Sequence, residues 1–145
     1  MSNVADLAVA HLAITAAMAG VLWVVQLAVY PLFDAVGSAG FIAYHRRYNR
    51  AVSCVVAPLM LAEAASALAL VLQGVRGPLF LGSLVALATI WLMTFAVQVP
   101  LHFRLGRGYD ATAHRQLVLT NWFRTAAWTA RAVMVGLWLL SLSPR

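Results

Sequence analysis

Four long apolar runs, separated by stretches that carry arginine, organise this chain. A helix needs about 20 apolar residues to cross the hydrocarbon of a bilayer, and each run reaches that length. The first covers about residues 8–30 and meets Pro31. The second covers about residues 51–73 and is followed by Gly74 and Gly77-Pro78. The third covers about residues 79–99 and meets Pro100, and the fourth covers about residues 116–140 and is followed by Ser-Pro. Proline lacks the helical N–H and its ring clashes with the preceding turn, so Pro31 and Pro100 are read as stops. The pattern predicts an all-α, integral membrane four-helix bundle, with residues 1–145 forming a single four-span domain.

The connections set the topology. A tight turn joins the second and third spans, which predicts that these two helices are antiparallel neighbours. The other two connections, PLFDAVGSAGFIAYHRRYNR and PLHFRLGRGYDATAHR, fall on one face of the bundle. Each mixes aromatic and polar residues and is expected to form a short helix lying at the interface. That face holds Arg46, Arg47, Arg50, Arg104, Arg107 and Arg115, against Arg76 and Arg145 on the other. The positive-inside rule then places the long loops in the cytoplasm and both termini outside, in a multi-pass protein of the cell (inner) membrane. The opening MSNVADLAVA is acidic rather than basic, so the first run is read as a retained span and not a cleaved signal.

Composition sharpens this picture. The chain is 63% hydrophobic, with ten arginines, no lysine and four carboxylates, and its mean hydropathy is +0.87. Soluble domains are usually about 45–50% apolar. The net charge of +6 sits in loops and helix ends rather than along a solvated face. It therefore points to membrane lipids as partners and not to nucleic acid. Cys54 is the only cysteine. It excludes an intrachain disulfide or a cysteine-rich metal cluster, and is expected to pack as a small apolar residue.

The polar residues inside the spans carry the candidate chemistry. At 1.5 Å rise per residue, Glu63 and Arg131 fall at about the same depth near mid-membrane. An isolated charge there costs at least about 2.5–3.5 kcal/mol, so the two are expected to form a structural ion pair between spans two and four. Asn121, Arg124, Trp128 and Arg131 are spaced 3, 4 and 3 apart, which puts them on one helix face with Thr125 beside them. Such a stripe points into the bundle. Trp128 is placed to stack on a guanidinium or on a flat ligand. Gln26, Tyr30, Gln98 and His102 sit at the same end of their spans as Asn121 and Arg124, so all of these are expected to line one pocket. The alternative is interhelical hydrogen bonding. His102 is the best candidate acid or base. His11 lies toward the opposite end, and His45, His102 and His114 show no local metal-ligand spacing, so no metal is assigned. Nucleotide-binding loops and hydrolase motifs are absent from the sequence.

Three short elements carry a family resemblance: VYPLF at residues 29–33, QVPLHFRL at residues 98–105 and NWFRT at residues 121–125. With these the chain resembles the anthrone oxygenase-like family of small membrane proteins, also called domain of unknown function 1772. The resemblance implies a bundle of four spanning helices. For some members it also implies oxidation of polyketide anthrones to anthraquinones without a metal or organic cofactor. Carried over residue by residue, it implies oxyanion stabilisation by Asn121 and Arg124, the matching positions, with His102 assisting proton removal; Gln98 and His102 are looser matches. Glu63, Arg131 and the YHRRYNR segment depart from the family pattern and point toward another substrate.

Three functions follow as expectations. The first is an enzyme, a cofactor-independent oxygenase or a relative, acting on a lipophilic aromatic or quinone-like small molecule. The second is a structural or assembly subunit of a membrane complex, in which the polar stripe is fully paired. The third is a small transporter, which at this size requires a homodimer and a polar path past Glu63 and Arg131 to the far side.

Overall fold

Backbone amides removed from water must bond to one another, and a chain this apolar does so locally, as helix. The computed structural model describes residues 2–141; Arg145, counted above for topology, lies outside the described residues. Within them the chain runs α1 (Ser2–Val24), a π-turn (Val25–Val29), a 3-10 segment (Tyr30–Val36), α2 (Ser38–Leu72), α3 (Pro78–Met93), a second π-turn (Thr94–Gln98), α4 (Val99–Leu105) and α5 (Ala111–Ser141). No strand occurs among the described residues. The pieces join into four long rods, because each π-turn continues its helix without a break.

The two prolines do not act as the expected stops. Each would strip a hydrogen bond from an α-helix and strike the carbonyl four residues back. The backbone absorbs this by widening one turn just before the ring. The Tyr30 N–H bonds the Val25 carbonyl and the Val99 N–H bonds the Thr94 carbonyl, both five residues back. Helix then continues past Pro31 as a 3-10 segment and past Pro100 as α4. The expected loop over residues 31–50 therefore shrinks to Gly37, whose φ of 75° and ψ of 148° suit glycine alone. The YHRRYNR segment becomes the first turns of α2, a 35-residue helix.

The turn between α2 and α3 is built by glycine and arginine. Gly74, at φ 85°, closes a Schellman motif in which Val75 N bonds Leu70 O (3.1 Å) and Gly74 N bonds Val71 O (3.0 Å). Arg76 Nη1 donates to the Val71 and Val75 carbonyls at 2.8 and 2.9 Å, placing a cation on the helix C-terminus. At the opposite end Asp110 caps α5: its Oδ1 accepts from Ala113 N (2.9 Å) and its Oδ2 from Arg104 (2.6 Å).

Packing departs from the hairpin expectation. α5 lies against both α1 and α3, and α1 also lies against α2, but α2 and α3 do not pack along their length. The packing order is therefore α2, α1, α5, α3, and the space separating α2 from α3 and α4 is left as a cleft backed by α1 and α5. Three apolar clusters stack along the bundle. Phe33, Phe41, Leu101, Leu105 and Leu117 hold the arginine-rich end. Met18, Leu22, Met60, Ile90 and Trp128 hold the middle, and Ala8, Leu70, Phe80, Val135 and Trp138 hold the end at the Gly74 turn.

Three rods are long and apolar enough to cross a membrane: Val4–Val36, Ser38–Leu72 and Pro78–Leu105. The α5 rod is long enough, but its inward polar stripe lowers its hydropathy. Its outward face over residues 119–140 consists of Leu119, Trp122, Phe123, Ala126, Ala130, Val133, Leu137 and Leu140, an apolar strip about 30 Å long. Cys54, expected to pack inside, stands on the exposed face of α2.

Candidate functional site

The stripe on α5 does turn inward: Asn121, Arg124, Thr125, Trp128 and Arg131 are all buried. Their partners separate them into two polar centres.

The deeper centre gathers around Arg131 and Glu63, both wholly buried, with Nη1 and Oε1 3.1 Å apart. The approach is ionic rather than a well-directed hydrogen bond, since neither atom meets hydrogen-bond geometry. The second carboxylate oxygen accepts from Trp128 Nε1 at 2.9 Å. Arg131 Nη2 lies 3.2 Å from His11 Nε2, and His11 Nδ1 lies 2.7 Å from Ser66 Oγ. A guanidinium only donates, so His11 Nε2 must accept and the ring is neutral with its proton on Nδ1. The Ser66 hydroxyl donates its hydrogen bond to the carbonyls of Ala62 and Glu63 (2.8 and 3.1 Å). Sequence reading placed His11 toward the far end and missed it as a partner. The signal was present in depth: His11 and Ser66 lie near the level of Arg131 once both helices are counted from the Gly74 end.

The second centre surrounds Arg124. Its Nη1 donates to Asn121 Oδ1 (3.1 Å), Asn121 Nδ2 donates to Gln26 Oε1 (2.8 Å), and Gln26 Nε2 donates to the Val118 carbonyl (3.3 Å). The guanidinium carbon lies 5.4 Å from the Trp128 ring centroid. Arg124 forms no ion pair among the described residues, and its Nε is buried without a partner. The other arginine of the stripe has its carboxylate; this one has none.

Arg124 faces a cavity of about 680 Å³. α2 and α3–α4 form its side walls, through Val52, Val56 and Met60 on one side and Phe95, Gln98 and Val99 on the other. α1 closes the back with Leu22, Val25 and Tyr30, and α5 contributes Arg124 alone. Ala57, Phe95 and Phe103 on its rim are exposed, so the cavity opens sideways between α2 and α3. Arg46, Asn49 and Arg107 stand at its arginine-rich end, and no carboxylate lines it. Of the residues expected in the pocket, Tyr30, Gln98, His102 and Arg124 line it. Gln26, Asn121 and Trp128 do not, because their polar groups are spent on one another, on Glu63 and on holding Arg124 from behind.

The histidines divide as well. His102 Nε2 meets the Tyr30 hydroxyl at 3.0 Å, and His102 Nδ1 meets His45 Nε2 at 3.1 Å. Tyr48 stands beside both rings, with centroids 6.3 Å from Tyr30 and 6.3 Å from His102. His114 turns away: its Nε2 donates to the Tyr30 carbonyl (2.7 Å), which leaves Nδ1 to accept from the Tyr109 hydroxyl (3.1 Å). No group of three histidine, cysteine or carboxylate side chains gathers to hold a metal among the described residues. Tyr48 was missed in the sequence, and His45 was grouped with His102 and His114 but not placed in the pocket, because YHRRYNR reads as a loop; only its helical register turns these two inward. Comparison with protein-family models, with curated proteins and with solved structures finds no match to the chain.

Proposed function

We propose that the chain is a four-span membrane enzyme that binds a flat, lipophilic, acidic molecule of phenol or anthrone type in the α2–α3 cleft and oxidises it with molecular oxygen, without a cofactor. The observation that carries this reading is Arg124, a buried cation facing a cavity with no carboxylate to pair it. An unpaired buried charge is costly, and a bound enolate or phenolate oxygen is the anion that relieves it. The α5 helix is counted as the fourth span, because its outward face over residues 119–140 is apolar while Arg124 and Arg131, the charges of that stretch, turn inward.

The chemistry follows from the groups present. A ring-activated CH2 group gives a proton toward His102, and the electron pair moves to the ring oxygen held by Arg124. The carbon of that anion then reduces oxygen and bonds to it. The resulting peroxide takes back the proton to become a hydroperoxide. Loss of the second C–H proton and cleavage of the O–O bond yield C=O and water. The balance is CH2 plus O2 to C=O plus H2O. Gln26 and Asn121 hold the guanidinium in place, and Tyr30, Gln98 and Tyr48 border the ring.

The test is oxygen consumption by the protein in lipid nanodiscs with 1,8-dihydroxyanthrone. Arg124→Gln is expected to lower turnover by about 10²–10³-fold, as for loss of an oxyanion donor, while the protein still folds. Equal turnover by the variant and the parent would sink the reading. A transporter is less well supported, since the polar path ends on the apolar cluster of Ala8, Leu70, Phe80, Val135 and Trp138.

A further inference from the structure

The cavity places its candidate base in an awkward position. A proton taken by His102 enters a cleft that, on the four-span reading, opens sideways toward lipid and not toward water, and no carboxylate lines the cavity to receive it. The hydrogen bonds supply a route. Tyr30 Oη, His102 Nε2, His102 Nδ1 and His45 Nε2 follow one another at 3.0 and 3.1 Å, across three different rods. His102 uses both of its ring nitrogens in line. The last atom, His45 Nδ1, is buried and has no partner. It sits beside Gly106, where a Cβ would come within 3.9 Å of it and within 3.3 Å of the His102 carbonyl oxygen. Gly106 and the neighbouring Arg46 and Arg107 form the arginine-rich end of the cavity.

We propose that Tyr30, His102 and His45 form a proton relay that carries the substrate's proton from the Arg124 end of the cavity to the arginine-rich end, with His45 Nδ1 as its outlet. The inference rests on the reading of Arg124 as the site of an anionic ring oxygen. The forward hop balances as follows. The substrate proton bonds to Tyr30 Oη as the Tyr30 proton passes to His102 Nε2. The His102 Nδ1 proton passes to His45 Nε2, and the His45 Nδ1 proton leaves to water. No group in the chain ends charged; only the two tautomers have switched. Formation of the hydroperoxide takes one proton back along the same chain, which resets both rings. The charges that face the relay are Arg124 at one end and Arg46 and Arg107 at the other. All three repel a stranded imidazolium, so a concerted hop through neutral rings is favoured over a resting His⁺. His45 lines the arginine-rich end of the cavity, away from Arg124, and acts through His102.

A structural tie between α2, α4 and the first rod would show the same distances, so the test must read proton movement. The full chain in nanodiscs is mixed with 1,8-dihydroxyanthraquinone, and phenolate absorbance and proton release to a pH dye are followed together. The parent is expected to release one proton per bound phenolate. His45→Gln and Gly106→Ala are expected to bind the dye with affinity within about twofold of the parent, while proton release slows by about tenfold or more. Imidazole should restore the rate in His45→Gln. Binding with an unchanged release rate in both variants would overturn the relay. If the parent binds no phenolate, the function reading fails instead. The relay is then decided by ¹⁵N NMR of the histidine rings: scalar coupling across the His102 Nδ1–His45 Nε2 hydrogen bond supports it, and its absence rejects it.

Discussion

Arg124 and Arg131 stand seven residues apart on one face of one helix, yet their surroundings give them different work. Arg131 meets Glu63, and Trp128 and His11 complete the shell. Removing one member strands the other. Glu63→Gln is expected to destabilise the protein by about 3–5 kcal/mol, because it leaves an uncompensated buried cation. The double variant Glu63→Gln/Arg131→Gln should cost less than the sum of the two single changes, read by denaturation in detergent. Strict additivity would show that the residues act independently. Trp128→Phe keeps the ring packing but deletes the N–H to the carboxylate, for an expected loss of about 1.5–3 kcal/mol in the same measurement. At the surface, Asp110 behaves in the opposite way to a buried charge. The Ala113 N–H and then the Arg104 guanidinium hold its carboxyl below the ordinary value of 3.8. Its folded pKa is depressed, so its support for the cap is present above pH 3.8 and fades as pH falls below it. A thermal melt series should show Asp110→Asn insensitive to that part of the acid loss.

At the scale of elements, the informative parts are the two π-turns. Each precedes a proline and each projects a buried glutamine, Gln26 or Gln98, into the bundle. Such widened turns are often found at functional sites because they re-aim the residues that follow. In the third rod the residue that follows is His102, one turn past Gln98. Pro100→Ala restores the missing N–H and allows the turn to return to α geometry. The expected outcome is a one-residue change of register between α3 and α4, which carries His102 away from His45 and Tyr30. The helix itself gains hydrogen bonding, so phenolate binding and proton release should suffer more than thermal stability. A variant with parental release rates would show that the π-turn is not what aims His102.

For the whole molecule, the outward surface is the deciding feature. Under the four-span reading, the exposed face of α2 meets lipid, and Cys54 lies on it as the sole cysteine. In intact membranes Cys54 should react with a lipid-soluble maleimide and resist a charged, membrane-impermeant one. Detergent extraction should open it to both. Labelling by the charged reagent in sealed membranes would mean that this part of α2 is in water and the bundle does not span as proposed. The same reading puts the arginine-rich end toward the cytoplasm and the opening of the α2–α3 cleft toward the bilayer, the side from which the proposed lipophilic substrate would enter.

Much of this was legible without coordinates. Apolar run length determined that the chain is helical and that at least three rods suit a membrane, because hydrocarbon leaves the backbone no other partners. The 3-4-3 spacing determined which face of α5 turns inward, since that periodicity is local. The depths of Glu63 and Arg131 follow from rise per residue alone. What tertiary structure decided were the quantities that depend on register between separate helices. Pro31 and Pro100 read as stops because their local penalty is plain, whereas the π-turns that absorb it are a response of the whole rod. YHRRYNR read as a loop because its charges hide a helical face that only packing against Phe33 and His102 reveals. Which arginine would be paired and which left facing a cavity could not be read from the stripe. That depended on α5 lying between α1 and α3 while α2 and α3 stay apart, with Glu63 brought to Arg131 and empty space brought to Arg124.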